Sequence, residues 1–198
     1  MMKPFSQSSV ENQDPILNVL RTEFAAHRRV LEIGSGTGQH AVYFAGELPH
    51  LIWLTSELRE NHDGIRAWLK ESGLSNVVAP ITLDVAHKPW PEVEADAVFS
   101  ANTLHIISWP EVMAMFAGVC ALLPVDGVFA VYGPFNYAGR FTSPSNARFD
   151  EWLKARDSKS GVRDFEALDN LASGQGMVLQ RDYEMPSNNR TLVWRKSV

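Results

Sequence analysis

The stretch VLEIGSGTGQH at residues 30–40 decides the fold. Its first four residues form a short apolar run that only Glu32 interrupts, which predicts a buried strand, and Gln39 begins a segment with helical spacing. Three glycines within five residues join the two elements, and glycine permits positive φ angles and close approach of a ligand to the backbone. A strand, a glycine-rich turn and a helix in this order predict a ligand-binding α/β unit.

The rest of the chain alternates between strand and helix patterns. This alternation predicts βαβ units and a mostly parallel sheet with helices on both faces. Only residues 186–190 separate the last two strands, so they are expected to form a C-terminal antiparallel hairpin. The prediction is one α/β domain over residues 1–198 with a seven-stranded sheet. Its strands are expected at 30–33, 51–55, 77–83, 95–101, 127–132, 177–185 and 191–196, and its helices at 14–26, 39–47, 60–71, 110–123 and 164–173.

Two segments fall outside this alternation. Residues 1–12 are predicted to be a flexible N-terminal segment, with Asp14 as the cap and Pro15 as the first residue of the helix that follows. Residues 133–162 are long for a loop after the fifth strand and contain a short helical piece near 149–155. Such insertions are often lids or substrate loops, and the alternative is a surface insertion that only packs.

Composition excludes several classes of protein. The 18 Lys and Arg residues against 23 Asp and Glu residues give a net charge of −5, which argues against a nucleic-acid partner. We find neither a signal peptide nor an apolar run long enough for a membrane span, so a cytoplasmic location is predicted. Cys120 is the one cysteine, which excludes an intrachain disulfide, and no cluster at metal-ligand spacing predicts a metal site. The oligomeric state stays open.

Two acidic residues strengthen the ligand prediction. Glu57 lies just past the second strand, where a carboxylate accepts hydrogen bonds from ribose hydroxyls, and Asp84 ends the third, where it suits an adenine amino group. A dinucleotide site has a later third glycine, and Glu32 would repel a diphosphate but tolerate a cation. The pattern therefore favours S-adenosylmethionine over NAD. The turn itself contributes Gly34, Ser35, Gly36 and Gly38, and Leu58 and Val85 flank the nucleoside.

The chain as a whole resembles class I S-adenosylmethionine-dependent methyltransferases. It is most similar to the methyltransferase-like twenty-six family, also called domain of unknown function 938. Where that family more often has Asp, this chain has Glu57. The resemblance implies the Rossmann-like class I fold and the cofactor but names no methyl acceptor. It extends from about residue 11 to 196 and rests on the motifs NQDPILNVL (12–20), EIGSGTG (32–38), LDV (83–85), YGPF (132–135), SPSNARFD (143–150), GVRD (161–164) and MPSNN (185–189).

The resemblance also implies roles near the fourth strand. The backbone of Ala101 and Asn102 is expected to contact the methionine part of the cofactor, and His105 to face the reacting methyl group. A histidine there can take a proton from the acceptor, and the alternative is that it only hydrogen-bonds the loop. We expect methyl transfer to oxygen or nitrogen of a small molecule. The expected acceptor site consists of Asn12, Tyr132, Arg140, Asn146, Asn188 and Asn189.

Two other functions stay open. A non-catalytic module would keep the fold and the S-adenosylmethionine site without turnover, because a glycine motif alone does not separate binding from catalysis. A nicotinamide-dependent oxidoreductase is the second alternative, which Glu32 and the early third glycine disfavour.

Overall fold

The computed structural model describes residues 3–197, and its centre is a seven-stranded sheet. The strands of this sheet are β1 (Arg29–Ile33), β2 (Ile52–Glu57), β3 (Val77–Thr82), β4 (Ala97–Ala101), β5 (Val128–Gly133), β8 (Met177–Met185) and β9 (Asn189–Lys196), and β6 (Phe135–Asn136) with β7 (Arg163–Asp164) forms a separate small ladder. The order in the large sheet is β3-β2-β1-β4-β5-β9-β8. The pairs among β1 to β5 are parallel, whereas β9 is antiparallel to both β5 and β8.

Helices cover both faces of the sheet. They are α1 (Gln7–Glu23), α2 (Gln39–Glu47), α3 (His62–Ser72), α4 (Trp109–Leu122), α5 (Pro144–Arg156) and α6 (Phe165–Gly174), with short 3₁₀ turns at Arg59–Asn61 and Pro186–Asn188. On one face α2 packs between α1 and α3, and Phe44, Trp53 and Phe99 lie in the core beneath. On the other face α4 and α6 cover a core around Phe116 and Trp194.

The first helix corrects the sequence prediction. It begins at Gln7 rather than Asp14, so part of the segment that we expected to be flexible is helical; Met1 and Met2 lie outside the described residues. The Ser6 hydroxyl accepts a hydrogen bond from the N–H of Ser9 and caps the helix. Pro15 lies inside the helix, and Asp14 instead accepts a hydrogen bond from the Tyr43 hydroxyl. A proline pattern that is typical of a helix start therefore marks an interior position here.

The sheet order places a crevice beside β1. Because β2 and β4 flank β1 on opposite sides, the chain reverses its direction of progress there, and ligands of such sheets bind outside the carboxyl ends of the strands at this point. Each strand of the large sheet begins and ends within two residues of its predicted bounds. The glycine turn follows β1 directly.

The insertion after β5 is ordered and packed. Its helix α5 is longer than the predicted piece, because the Ser143 hydroxyl accepts from the N–H of Asn146 and Pro144 occupies the first turn. The carboxylate of Asp150 is buried and accepts from the N–H of Val162, which ties the helix to the end of the insertion.

Within residues 3–197, no helix combines the length and the apolar character that crossing a bilayer requires. The same range contains no group of three or more His, Cys, Asp or Glu side chains arranged to hold a metal ion.

Candidate active site

The glycine turn after β1 forms an open cradle. Gly34, Gly36 and Gly38 have φ angles of 77°, 55° and 89°, a region that disfavours residues with a side chain. The N–H groups of Gly34 and Ser35 both donate to the carbonyl of Ser56, at 3.2 and 3.0 Å. A Cβ atom on Gly36 would meet nothing within 4 Å, so the centre of the turn faces free space.

Glu57 joins the turn to the end of β2. Its Oε2 accepts from the N–H of Gly36 at 2.9 Å, and its Oε1 accepts from the N–H of Leu58 at 2.8 Å. The Glu57 carbonyl accepts from Leu83, which brings the end of β3 alongside. Asp84 follows there and is half-buried. A hydrogen bond from the N–H of Ala86 lowers the pKa of the Asp84 carboxyl, and a hydrogen bond with the His87 ring adds to this effect.

Glu32 lies beneath the turn, which corrects our expectation that it faces a ligand. Its side chain is only 2% exposed. The Trp53 indole N–H donates to its carboxyl at 3.2 Å. Burial raises the pKa of Glu32 to about 7, so the carboxyl is only partly ionised at neutral pH. It therefore supports the turn from behind, and its charge is a weaker argument against a diphosphate than the sequence suggested.

The segment after β4 contacts both the turn and the neighbouring strand. Asn102 has a φ of 60°, and its N–H donates to the Tyr132 carbonyl at 2.8 Å. The Ser100 hydroxyl donates to the Ile33 carbonyl at 2.8 Å. Thr103 lies directly against Gly34, so a Cβ atom there would overlap the threonine hydroxyl. Asn102 is thus held between the glycine turn and the end of β5.

His105 is buried beyond this junction. Its ring packs edge-on against Phe149 with 5.2 Å between centroids, and 4% of the residue is exposed. Burial lowers the pKa of His105 to about 4, with a smaller contribution from the charge of Arg163. The imidazole is therefore neutral at pH 7 and can accept a hydrogen bond.

The end of the insertion holds the loop that carries His105. The N–H of Gly161 donates to the His105 carbonyl at 2.9 Å, and the Ser160 hydroxyl donates to the Ile106 carbonyl. The Arg163 guanidinium donates to three backbone carbonyls, those of Leu104, Ile107 and Lys159. The insertion is thus part of the site's framework.

A cleft of about 510 Å³ opens at the carboxyl ends of β4 and β5, and we call it the His105 cleft. Residues from α1, the β4 and β5 ends, α5 and the turn before β9 surround it. They are Ser8, Glu11, Asn12, Pro15, Asn102, His105, Ile106, Tyr132, Pro134, Ser145, Asn146, Phe149, Trp152, Pro186, Ser187 and Asn189.

Four of the six expected acceptor residues lie in this lining: Asn12, Tyr132, Asn146 and Asn189. The Tyr132 hydroxyl accepts from the Asn189 amide at 2.9 Å, and burial raises its pKa. The Asn146 amide donates to the Asn188 carbonyl at 3.1 Å, which orders the turn before β9.

The other two expected residues lie elsewhere. Asn188 lines an adjacent cleft of about 430 Å³, which we call the Arg190 cleft and which shares Asn189 with the first. Arg140 is exposed in a tight turn whose backbone pairs with Tyr137, and it lines neither cleft. Its place in the acceptor set therefore stays a prediction that the lining of neither cleft supports.

The aromatic wall of the His105 cleft was not predicted from the sequence. Phe149 and Trp152 stack on α5 with 5.8 Å between ring centroids. Their spacing of three residues was the available signal, since such residues share a helix face. Ser8 was missed because α1 was expected to begin later.

A family model described as "Protein of unknown function (DUF938)" matches residues 3–196. The chain belongs to the DUF938 family. The predicted membership of DUF938 is thereby confirmed.

Solved structures match the fold at low sequence identity. An O-methyltransferase family protein from Burkholderia thailandensis is 16% identical with a TM-score of 0.83, and the match covers 93% of this chain and 56% of that one. The mitomycin 7-O-methyltransferase is 16% identical with a TM-score of 0.84, covering 96% and 54%. Human N-acetylserotonin methyltransferase, solved with S-adenosylmethionine, is 15% identical with a TM-score of 0.75, covering 94% and 55%.

This DUF938 chain has the class I methyltransferase fold, and the predicted α/β architecture with its C-terminal antiparallel pair is confirmed. The chain spans a little over half the length of the proteins it matches. At these identities the likeness establishes the fold, and activity is argued from the site.

Proposed function

We propose that this protein is an S-adenosylmethionine-dependent methyltransferase that acts on oxygen or nitrogen of a small molecule. One observation carries the proposal: Thr103, the neighbour of Asn102 in the lining of the His105 cleft, lies against Gly34 of the glycine turn, and Glu57 holds that turn at Gly36. The segment after β4 therefore joins the proposed nucleoside site to the proposed acceptor site. Structural neighbours that bind S-adenosylmethionine or its demethylated product support the cofactor.

The residues of the crevice fit this cofactor. The free space at Gly36 admits a ligand against the backbone, and the ionised Asp84 suits the adenine amino group. Glu57 would accept from the ribose hydroxyls, with Leu58 and Val85 beside the base. Ala101 and Asn102 would hold the amino-acid part. When bound, S-adenosylmethionine supplies a methyl group on a sulfonium centre, ready for displacement by a lone pair.

The His105 cleft would hold the acceptor in line and keep water out. The neutral imidazole of His105 would accept a hydrogen bond from the acceptor's O–H or N–H and so orient its lone pair. An oxygen that has gained a methyl group while keeping its proton is a far stronger acid than imidazolium. A pKa of about 4 is therefore sufficient for His105 to take that proton from an oxygen acceptor.

Three finer assignments belong to the same proposal. The motif set supports closer kinship with the methyltransferase-like twenty-six family. The contacts of Ser160 and Gly161 with the His105 loop support a substrate-binding role for residues 133–162. A cytoplasmic enzyme without a nucleic-acid partner is consistent with the net charge of −5.

Calorimetric titration with S-adenosylmethionine and S-adenosylhomocysteine tests the cofactor. Gly36→Arg should abolish binding, because the new side chain would occupy the cradle. Gly73→Arg is the matched control: Gly73 also has a positive φ, of 63°, and open surroundings, but it ends α3 away from the turn. Binding that survives in Gly36→Arg, or that is absent from the folded wild type, would overturn the cofactor site. An NADH titration would then test the oxidoreductase alternative.

Turnover needs a second measurement. Incubation with S-adenosylmethionine labelled in the methyl group and a set of small hydroxyl and amine compounds should yield labelled product. Cofactor binding without transfer to any of them would favour the non-catalytic module.

A further inference from the structure

The charges around the His105 cleft restrict its acceptor. Among its lining residues within 3–197, Glu11 is the one with an ionised side chain, because His105 is neutral at pH 7. The remaining polar groups are amides, hydroxyls and backbone groups. A carboxylate or phosphate on the acceptor would thus enter the cleft without a cation to pair with, and an unpaired charge that loses its water is costly.

Three arginines near the two clefts have partners within the protein. Arg163 directs its donors to three backbone carbonyls behind the His105 loop. Arg156 lies over the Trp152 ring, 4.6 Å from its centroid, and is outside the lining. In the adjacent cleft, Arg190 is paired with Asp182 at 2.8 Å and with Glu184 at 3.0 Å, so that two acids face one base.

The apolar part of the His105 cleft is aromatic. Phe149 lies between the His105 ring and the Trp152 ring, in contact with both. At the mouth of the cleft, Ile106 is 57% exposed and Trp152 is 50% exposed. Flat side chains that are already packed against one another present a rigid surface, and such surfaces favour planar ligands over flexible aliphatic chains.

We propose that the acceptor is a planar aromatic compound that carries no anionic group. The inference rests on the proposed function and deepens it. The ring packs against Phe149 and Trp152, its hydroxyl or amino group points to His105, and Glu11 at the rim favours a cationic substituent over an anionic one.

Three naphthols with one ring system and one hydroxyl group test the proposal. They are 2-naphthol, 6-hydroxy-2-naphthoate and 6-(aminomethyl)-2-naphthol, which are neutral, anionic and cationic at pH 7. Equilibrium dialysis against wild-type protein saturated with S-adenosylhomocysteine measures their binding. The naphthoate should bind at least about tenfold more weakly than the neutral compound, and saturated 2-decalol should bind more weakly than 2-naphthol.

Charge reversal at the rim gives the second arm. Glu11→Lys should strengthen naphthoate binding by roughly three- to tenfold and weaken binding of the amine. Glu92→Lys makes the same change of net charge at an exposed residue beside a different cleft and should alter neither. Glu11 is exposed, so its replacement should leave the fold intact.

The outcomes separate the two proposals. Naphthoate binding equal to that of 2-naphthol, or equal responses of the two variants, would overturn the acceptor class. The acceptor class is also overturned if no naphthol binds to protein that is loaded with S-adenosylhomocysteine. In that case the proposed methyltransferase function is not affected. If the folded protein does not bind S-adenosylhomocysteine, the proposed function itself fails.

Discussion

The contact between Gly34 and Thr103 gives the sharpest test of how the site is assembled. It joins the glycine turn after β1 to the segment after β4, which leads to His105. We predict that Gly34→Ala destabilises the protein and that Thr103→Ala relieves a large part of the loss. Asn102, immediately before Thr103, makes this contact the junction of the two proposed binding regions.

The magnitude follows from two separate costs. Gly34 has a φ of 77°, and an alanine in this region costs about 1–2 kcal/mol. Its Cβ would also overlap Thr103 Oγ1 and lie 3.2 Å from Cγ2 and 3.3 Å from Cβ, and overpacking of this kind costs about 1–3 kcal/mol. Thr103→Ala removes the contacts with Oγ1 and Cγ2 and leaves the contact with Cβ. Gly34→Ala alone should therefore lower the free energy of unfolding by about 2–5 kcal/mol, and by about 1–2 kcal/mol when residue 103 is already alanine.

Urea unfolding followed by tryptophan fluorescence would measure all four members of this double-mutant cycle. Gly46→Ala is the matched control, since Gly46 lies within α2 and its Cβ would meet only Leu74 at 3.7 Å. This control should be neutral or slightly stabilising. If the costs of the two single variants sum to the cost of the double variant within about 0.5 kcal/mol, the two residues do not overlap as described and the reasoning is refuted.

Three further predictions concern the same site. Glu57→Ala leaves the N–H of Gly36 without its charged acceptor, so cofactor affinity measured by calorimetry should fall by about tenfold or more, and unchanged affinity would contradict this. His105 has a pKa of about 4 in the folded protein, so below pH 6.5 the unfolded chain binds a proton that the folded one does not. The free energy of unfolding should therefore fall by about 3 kcal/mol through His105 as the pH falls from 6.5 to 4. His105→Asn should remove this part of the pH dependence, whereas the part from buried His40, whose pKa is also about 4, should remain; a curve parallel to that of the wild type would refute it. Arg163→Met removes the donor to three loop carbonyls, and the amide of Gly161 should then exchange with deuterium faster by NMR; unchanged exchange would show that the arginine does not hold the loop.

The placement of the proposed cofactor residues at one edge of the sheet was predictable, because these residues follow strands closely in sequence. The glycine turn comes directly after β1, Glu57 ends β2 and Asp84 lies two residues past β3. In a parallel sheet the carboxyl ends of neighbouring strands meet at one edge, so the strand pattern alone places these residues together. Helix α2 was predicted over the same residues that the structure assigns, since the turn specifies its start.

Expectations failed where local patterns competed with packing. Asp14-Pro15 is typical of a helix start, yet Ser6 caps a longer helix and places Asn12 on its buried face. Glu32 follows the motif, but whether its carboxyl is open to a ligand depends on the side chains around it, and here it is buried and accepts a hydrogen bond from Trp53 of the neighbouring strand β2.

The sequence by itself determined the fold, because apolar periodicity, the glycine turn and the closing hairpin are local features that all agree. Only the tertiary structure decided the His105 cleft, which is the proposed acceptor site. Its wall combines Glu11 of α1, His105 after β4, Phe149 of α5 and Asn189 of β9, and no short-range pattern relates these positions. Their approach follows from how the insertion docks on the His105 loop. Docking depends on side-chain packing and hydrogen bonds between distant segments, which periodicity does not encode.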